Sequence, residues 1–240
     1  MSTYVSRLEY REEICEGTIA FGLQKPVGFR FRAGQYVEIA LIEPAKRDIG
    51  GDTRTFSIAS APFERALLFA MRLSNTAFKQ VLEALPVGSE IEMRGPAGTF
   101  ALHEDPRRPA VFLAGGIGLA PFLSILRQAF HDRIGGDIYL FYSNRRPEDT
   151  AYLGELQEWE KTNHSFRFIP TMTRMAESRI RWNGEIGPID PKMLKRFLPN
   201  LIAPVHYVAG PSRFVTGMIS VLTVLNVEEA NIRTEDFGEY

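Results

Sequence analysis

The chain has 240 residues, 45% hydrophobic and 24% charged, so it can bury a substantial core and is not a disordered polymer. Lysine and arginine number 28 against 29 acids; up to residue 105 the counts are 12 basic and 14 acidic, and beyond it 16 and 15. Neither part has the basic excess of a nucleic-acid binder, and one cysteine, Cys15, excludes disulfides, thiolate zinc sites and iron–sulfur clusters within these residues.

The charged opening from Met1 to Glu13 does not read as a signal peptide. Pro109–Leu126 lacks charge over 18 residues, close to a membrane-spanning length, but Gly115, Gly116, Gly118 and Pro121 interrupt it. A strand, a turn and a helix fit that stretch better. The expectation is a soluble, cytoplasmic protein without a membrane span.

From Thr3 to about Phe100 the pattern is that of short strands. Val37, Ile39 and Leu41 alternate after Ala33-Gly34-Gln35; Phe56 alternates with Ile58, Leu67 with Phe69 and Met71, and Ile91 with Met93. One helix interrupts them over Ala77–Leu85, with Phe78, Val81, Leu82 and Leu85 on a common face. Such spacing predicts an antiparallel β-barrel. After Asp105-Pro106-Arg107-Arg108-Pro109 the pattern changes. Apolar strands at Ala110–Ala114, Ile138–Tyr142, Phe166–Ile169 and Val205–Ala209 alternate with helices that begin near Pro121, near Tyr152, at Asp190-Pro191 and after Ser212. This alternation predicts a doubly wound α/β domain with a parallel sheet. Two domains follow, residues 1–105 and 106–240.

Gly115-Gly116-Ile117-Gly118-Leu119-Ala120-Pro121 falls between a strand and a helix. Glycines there let the backbone approach a pyrophosphate, and the helix start offers free N–H groups. Arg54-Thr55-Phe56-Ser57 opens a barrel strand; an arginine can grip a phosphate bidentately, and Ser57 is expected on the same side as Arg54. Gly95–Phe100 reads as a turn. His103, His131, His164 and His206 show no metal-ligand spacing, so no metal site is expected. Ser124 and Ser143 lack a nucleophile context, Glu155 and Glu158 read as a solvated helix face, and Cys15 reads as a small core residue.

Taken in order, these segments resemble the ferredoxin–NADP reductase family of flavoproteins over essentially the whole chain. The family's Pro-Gly-Gln and Arg-x-Tyr-Ser correspond to Ala33-Gly34-Gln35 and Arg54-Thr55-Phe56-Ser57. Its Gly-Gly-x-Gly-x-x-Pro, Cys-Gly-Pro and Glu-x-Phe correspond to Gly115–Pro121, Ala209-Gly210-Pro211 and Glu235-Asp236-Phe237. The resemblance implies an NAD(P)H-dependent oxidoreductase with FAD as cofactor. It assigns Arg54 to the flavin phosphate, Phe56 to packing on the flavin, and Ser57 to a hydrogen bond near flavin N5. Thr55 and Arg72 join the flavin-binding set. Gly115, Gly116, Gly118 and Pro121 would receive the pyridine-nucleotide pyrophosphate, and Ala209, Gly210 and Pro211 would lie beside the nicotinamide. Ser57 and Glu235 would serve the chemical step. The covering aromatic ring is Phe237 or Tyr240.

The sequence departs from the family pattern at several points. Phe56 lacks the usual tyrosine hydroxyl, and Ala209 lacks the usual thiol. The family's Gly-x-x-Ser at the barrel helix is missing, and Thr76 is the capping candidate in its place. For the nucleotide, Arg145, Thr173, Arg174 and Arg179 follow the second and third strands of the α/β half, which favours NADP(H) while leaving NAD(H) open. With too few cysteines for a built-in cluster, the electrons are expected to pass to a separate ferredoxin, flavodoxin or oxygenase component. Two alternatives stay open: a non-catalytic reductase-like binding module, and direct reduction of free flavin, quinone or another small acceptor.

Overall fold

The computed structural model describes residues 1–44 and 51–238. In its first part, alternation turns directly into a buried face. Val37, Ile39 and Leu41 are buried on strand β3 (Tyr36–Leu41), while the residues between them are half-buried. The other strands here are β1 (Ser2–Cys15), β2 (Thr18–Gln24), β4 (Thr53–Ser57), β5 (Ala66–Arg72) and β6 (Glu90–Ala97). They form one six-stranded sheet in the order β4-β3-β6-β1-β2-β5, with every pairing antiparallel. The two end strands are drawn together where the chain leaves β4: the Ala59 N–H donates to the Leu68 carbonyl at 2.7 Å. Phe21, Phe69, Leu23, Ile39, Ile91 and Met93 fill the interior.

Helix α1 (Ala77–Ala84) covers this core with Phe78 and Leu82, and Val81 and Leu85 lie half-buried beside them. The Ala33-Gly34-Gln35 turn is tied to the Gly95–Phe100 turn by Gln35, whose Nε2 donates to the Gly98 carbonyl at 3.0 Å. Cys15, expected in the core, is instead only half-buried. It is the last residue of β1, directly before the turn into β2.

The second part contains β7 (Ala110–Gly115), β8 (Ile138–Asn144), β9 (Phe166–Met172), β10 (Glu185–Ile186), β11 (Val205–Gly210) and β12 (Ile232–Asp236). All of their pairings are parallel, in the order β10-β9-β8-β7-β11-β12. The chain therefore builds outward from β7 in one direction and then returns to build from β7 in the other. The topological switch point lies between β7 and β11. Helices α2 (Ala120–His131), α3 (Leu153–Thr162), α4 (Pro191–Phe197) and α5 (Ser212–Val224) connect the strands. Helix α4 starts as its sequence dictates: Pro191 occupies the first turn and the Asp190 carboxylate accepts from the Met193 N–H at 2.7 Å. Val111, Leu113, Phe141, Val208 and Leu222 are central to the core of this sheet.

The chain forms two compact units, Met1–Ala101 with Ala120–Ala129, and Leu102–Leu119 with Phe130–Tyr240. Most of α2 thus groups with the antiparallel sheet, and the buried Ser124 hydroxyl donates to the Ser60 carbonyl at 2.6 Å. The expectation of an antiparallel domain followed by a doubly wound parallel one holds. No helix among the described residues is long and apolar enough to cross a membrane, and Pro109–Leu126 is the strand, turn and helix start that its glycines suggested.

Candidate functional site

In the antiparallel unit, the residues of interest gather where β4 meets the start of α1. The Arg54 guanidinium lies 5.2 Å from the Phe78 ring centroid. Its Nη1 donates to the carbonyls of Gly51 and Thr53 at 2.9 and 2.8 Å, which holds the group in one position. Phe56, two residues along the same strand face, stacks on Phe78 at 6.1 Å and meets Phe21 and Phe69 edge-on. Ser57 is buried, and Thr55 is exposed. Arg54 and Ser57 were expected on one side of the strand; three residues apart in an unbroken ladder to β3, they lie on opposite faces.

Thr76 is the N-cap residue of α1, as expected, but its side chain makes no capping hydrogen bond. The first-turn amides are thus left to other partners. Arg72, at the end of β5, donates from Nη1 to the Glu16 carbonyl at 2.7 Å and the Thr18 hydroxyl at 3.2 Å. Lys79, in the first turn of α1, is only 6% exposed. Its ammonium is held below the ordinary lysine pKa by burial first and then by the charges of Arg54 and Arg72. The sequence reading passed over Lys79. Its signal was a lysine one residue after Phe78 and three before Leu82, close beside the apolar stripe of the helix.

In the parallel unit, the predicted residues fall at the carboxyl ends of successive strands, where open α/β sheets bind ligands. Gly115 ends β7, and Gly116–Leu119 form a 3-10 turn that runs into α2 at Ala120-Pro121. Gly118 is required by packing: a Cβ there would stand 2.2 Å from the Ala209 carbonyl oxygen. Its neighbour Gly116 has a left-handed φ of 53° with open space where a Cβ would be. Gly116, rather than Gly118, is therefore the glycine of this turn with an open face. Phe214 closes over Gly115, and its ring also lies near Gly210.

Ala209 and Gly210 end β11 and Pro211 caps α5. The end of β12 and the residue after it are tied to this corner. Ser212 Oγ donates to Asp236 Oδ1 at 2.7 Å, and the Phe237 N–H donates to the Gly210 carbonyl at 3.1 Å. Glu235 pairs in register with Ala209, and Phe237 is half-buried. Tyr240 lies outside the described residues.

The arginine loops after β8 and β9 are laced together. The Thr173 N–H and hydroxyl both donate to the Asn144 carbonyl, at 2.9 and 3.1 Å, and the Arg174 N–H donates to the Arg145 carbonyl at 2.8 Å. Arg145 and Arg174 are both exposed, and the pairing of Arg174 with Glu177 is a loose surface contact at 3.6 Å. Arg179 meets an acid through its backbone. Its N–H donates to Glu148 at 2.6 Å, and the Ser178 hydroxyl donates to the same carboxylate at 2.9 Å. Desolvation opposes the Glu148 charge, yet these donors and Arg146 hold its carboxyl below the usual range. Trp182 donates from its indole to the Glu185 carbonyl and covers Gly184. Of the histidines, His206 is fully buried on β11 and His103 bonds to Tyr207 and the Arg108 carbonyl.

Comparison with known proteins agrees with this architecture. Residues 112–219 match the family model described as the oxidoreductase NAD-binding domain. The chain is 26% identical over 226 residues to the glycine betaine monooxygenase reductase subunit of Chromohalobacter salexigens, covering 92% of this chain and 60% of that protein. It is 27% identical over 220 residues to the terephthalate 1,2-dioxygenase reductase component 1 of Comamonas sp, covering 90% and 62% respectively. The chain thus spans about three fifths of the length of these relatives. Its fold matches the crystal structure of a ferredoxin NADP+ reductase from Neisseria gonorrhoeae with bound FAD and NADP, with a TM-score of 0.80 at 22% identity, over 98% of both chains.

Proposed function

We propose that this chain, whose residues 112–219 match the oxidoreductase NAD-binding domain model and whose fold resembles that of a ferredoxin NADP+ reductase, takes hydride from NAD(P)H onto FAD and hands electrons singly to a separate protein. The observation that carries the reading is the rim of the parallel sheet. At its switch point an open, left-handed Gly116 stands beside the start of α2 and across from the Gly210-Pro211 corner. That combination of free backbone, helix start and strand ends suits a dinucleotide pyrophosphate.

The antiparallel unit fits the phosphate end of a flavin nucleotide by the chemistry of its donors. Arg54 offers a fixed guanidinium, Lys79 a buried ammonium and α1 a first turn that its N-cap side chain does not satisfy. These residues would hold FAD, with Arg72 contributing charge at longer range and Thr55 at the exposed strand surface. When bound, FAD supplies two-electron acceptance and one-electron release. The chain's own contribution is orientation and exclusion of water. Phe56, braced by Phe21, Phe69 and Phe78, would offer a rigid apolar wall. Ser57 would donate a hydrogen bond to the reacting edge of the flavin, and Phe237 would supply a covering ring. Ala209, Gly210 and Pro211 would bound the nicotinamide, and Glu235, in register with Ala209, would serve the chemical step there.

For the nucleotide, the reading favours NADPH. Arg145 and Arg174 rise from two loops tied by a 2.8 Å backbone bond, and both are exposed for an extra phosphate. For the acceptor, the two relatives named as oxygenase reductase components support an oxygenase or a ferredoxin-type carrier.

The test is optical. Purified protein, supplied with FAD, should show flavin absorption that NADPH bleaches under anaerobic conditions. Protein that takes up no flavin, or a bound flavin that neither NADPH nor NADH bleaches, would overturn the reading.

A further inference from the structure

An acid just past the second strand of a doubly wound sheet is where an NAD-dependent protein often holds the ribose 2′-hydroxyl. Glu148 stands near that position, in the short turn Pro147–Asp149 that follows β8, and by residue type it argues against an added phosphate. Its contacts point the other way. Oε1 accepts from the Arg179 N–H at 2.6 Å, and Oε2 accepts from the Ser178 hydroxyl at 2.9 Å. That hydroxyl in turn accepts from the Ile180 N–H at 3.0 Å. One carboxylate therefore fastens residues 178–180 and uses both of its oxygens to do so.

These residues are the far end of a loop whose near end is fastened too. The Thr173 and Arg174 N–H groups donate to the Asn144 and Arg145 carbonyls. Between the two ends the turn Met175–Glu177 closes on itself, with the Glu177 and Ser178 N–H groups donating to the Arg174 and Met175 carbonyls at 3.0 and 3.1 Å. Arg174, Arg179 and Arg181 have exposed side chains along this stretch. Arg146 grips the Asp149 carboxylate with two bonds of 2.9 Å, which braces the turn that carries Glu148. A loop fixed at both ends needs little further ordering when a ligand binds; one with a loose far end loses that freedom at the moment of binding. We propose that Glu148 is a positioning residue for nucleotide selectivity: it holds the 173–180 loop so that the loop's arginines meet the 2′-phosphate of NADPH, and it is not a ribose ligand. The inference rests on the reading that NADPH is the preferred nucleotide. It gives this acid an effect on phosphate binding opposite to that of its charge.

The two roles open to the acid predict opposite changes. Calorimetric titration of the full-length protein with NADP+ and with NAD+ gives the ratio of the two affinities. A ribose ligand, or a carboxylate acting through its charge alone, would make Glu148→Gln raise the preference for NADP+. Loss of a brace should instead lower that preference by about 10-fold, the lower end of what one charge-assisted hydrogen bond contributes. Ser178→Ala removes a donor and leaves the acid's charge in place. It should shift the ratio in the same direction, and the double variant should lose less than the two single losses combined. Trypsin supplies a readout without nucleotide: well below the melting temperature of either protein, Glu148→Gln should be cut after Arg179 and Arg181 faster than wild type.

An unchanged or raised preference for NADP+ in Glu148→Gln would overturn the assignment, as would an unchanged rate of loop cleavage or an unchanged ratio in Ser178→Ala. A wild type that prefers NAD+ would overturn the NADPH reading, and the role of Glu148 with it. A wild type that prefers NADP+ while Glu148→Gln keeps that preference would remove the role of Glu148 alone.

Discussion

Lowering the pH should destabilise this protein through His206. The imidazole is fully buried on β11, and the Pro204 backbone beside it only partly offsets that burial. Burial lowers its pKa from 6.5 to about 4, so the fold holds the neutral form. Above pH 6.5 neither the folded nor the unfolded chain protonates it, and there is no penalty. As pH falls below 6.5 the unfolded chain takes up the proton and the folded chain does not. Stability then falls by about 1.4 kcal/mol per pH unit until the folded group titrates near 4. The full loss is about 3 kcal/mol, and at pH 5 about 2 kcal/mol, a large share of a typical domain's stability. The assay is urea unfolding of wild type and His206→Leu at pH 7.5 and pH 5. Wild type should lose about 2 kcal/mol more than the variant between the two. Parallel losses would show that the acid sensitivity lies elsewhere and would refute the reasoning.

The two glycines of the β7–α2 turn should respond differently to alanine. Gly118→Ala drives a Cβ into the Ala209 backbone, which cannot swing aside, and should cost about 1–3 kcal/mol in thermal unfolding and impair nucleotide binding. Gly116→Ala meets only the left-handed backbone penalty, about 1–2 kcal/mol, and should stay folded; similar losses of fold in both variants would argue against a packing role for Gly118. Arg174→Ala should raise the Michaelis constant for NADPH by roughly 10- to 100-fold and leave NADH almost unchanged. Its surface pairing with Glu177 is too weak to mask the effect. Equal losses with both nucleotides would make Arg174 a structural residue of its loop.

How much of the molecule could be read from sequence depended on whether a residue's neighbours are local. The strands with clean alternation or short apolar runs, Tyr36–Leu41 and Ala110–Gly115, were visible because their own side chains state which face is buried. Strand β12 was not visible: Ile232–Asp236 buries no residue fully and is held by parallel pairing to β11, which lies far away in sequence. Strand β1 was indistinct for a related reason. Only Ser6 and Leu8 are buried in its fourteen residues, and it divides its pairing between β6 and β2.

The same distinction governs the candidate site. The glycine turn, Arg54 and Asp190-Pro191 announce themselves through local chemistry. The electrostatic setting of Lys79 does not, since the charges of Arg54 and Arg72 that act on it come from other strands, β4 and β5. Nor does the part played by Glu148, which reaches thirty residues along the chain to bind Ser178. The side on which Ser57 lies was misjudged, because an arginine–serine motif read as a unit hides the two-residue period of the strand beneath it.

The central claim is that this chain accepts electrons in a pair from a nicotinamide and releases them singly. The most direct measurement loads the protein with FAD, adds one equivalent of NADPH without oxygen, and back-titrates with ferricyanide, a one-electron oxidant. The account predicts full bleaching on the first addition and full return of colour after two equivalents of ferricyanide. NADPH left unoxidised beside an unbleached flavin would contradict it.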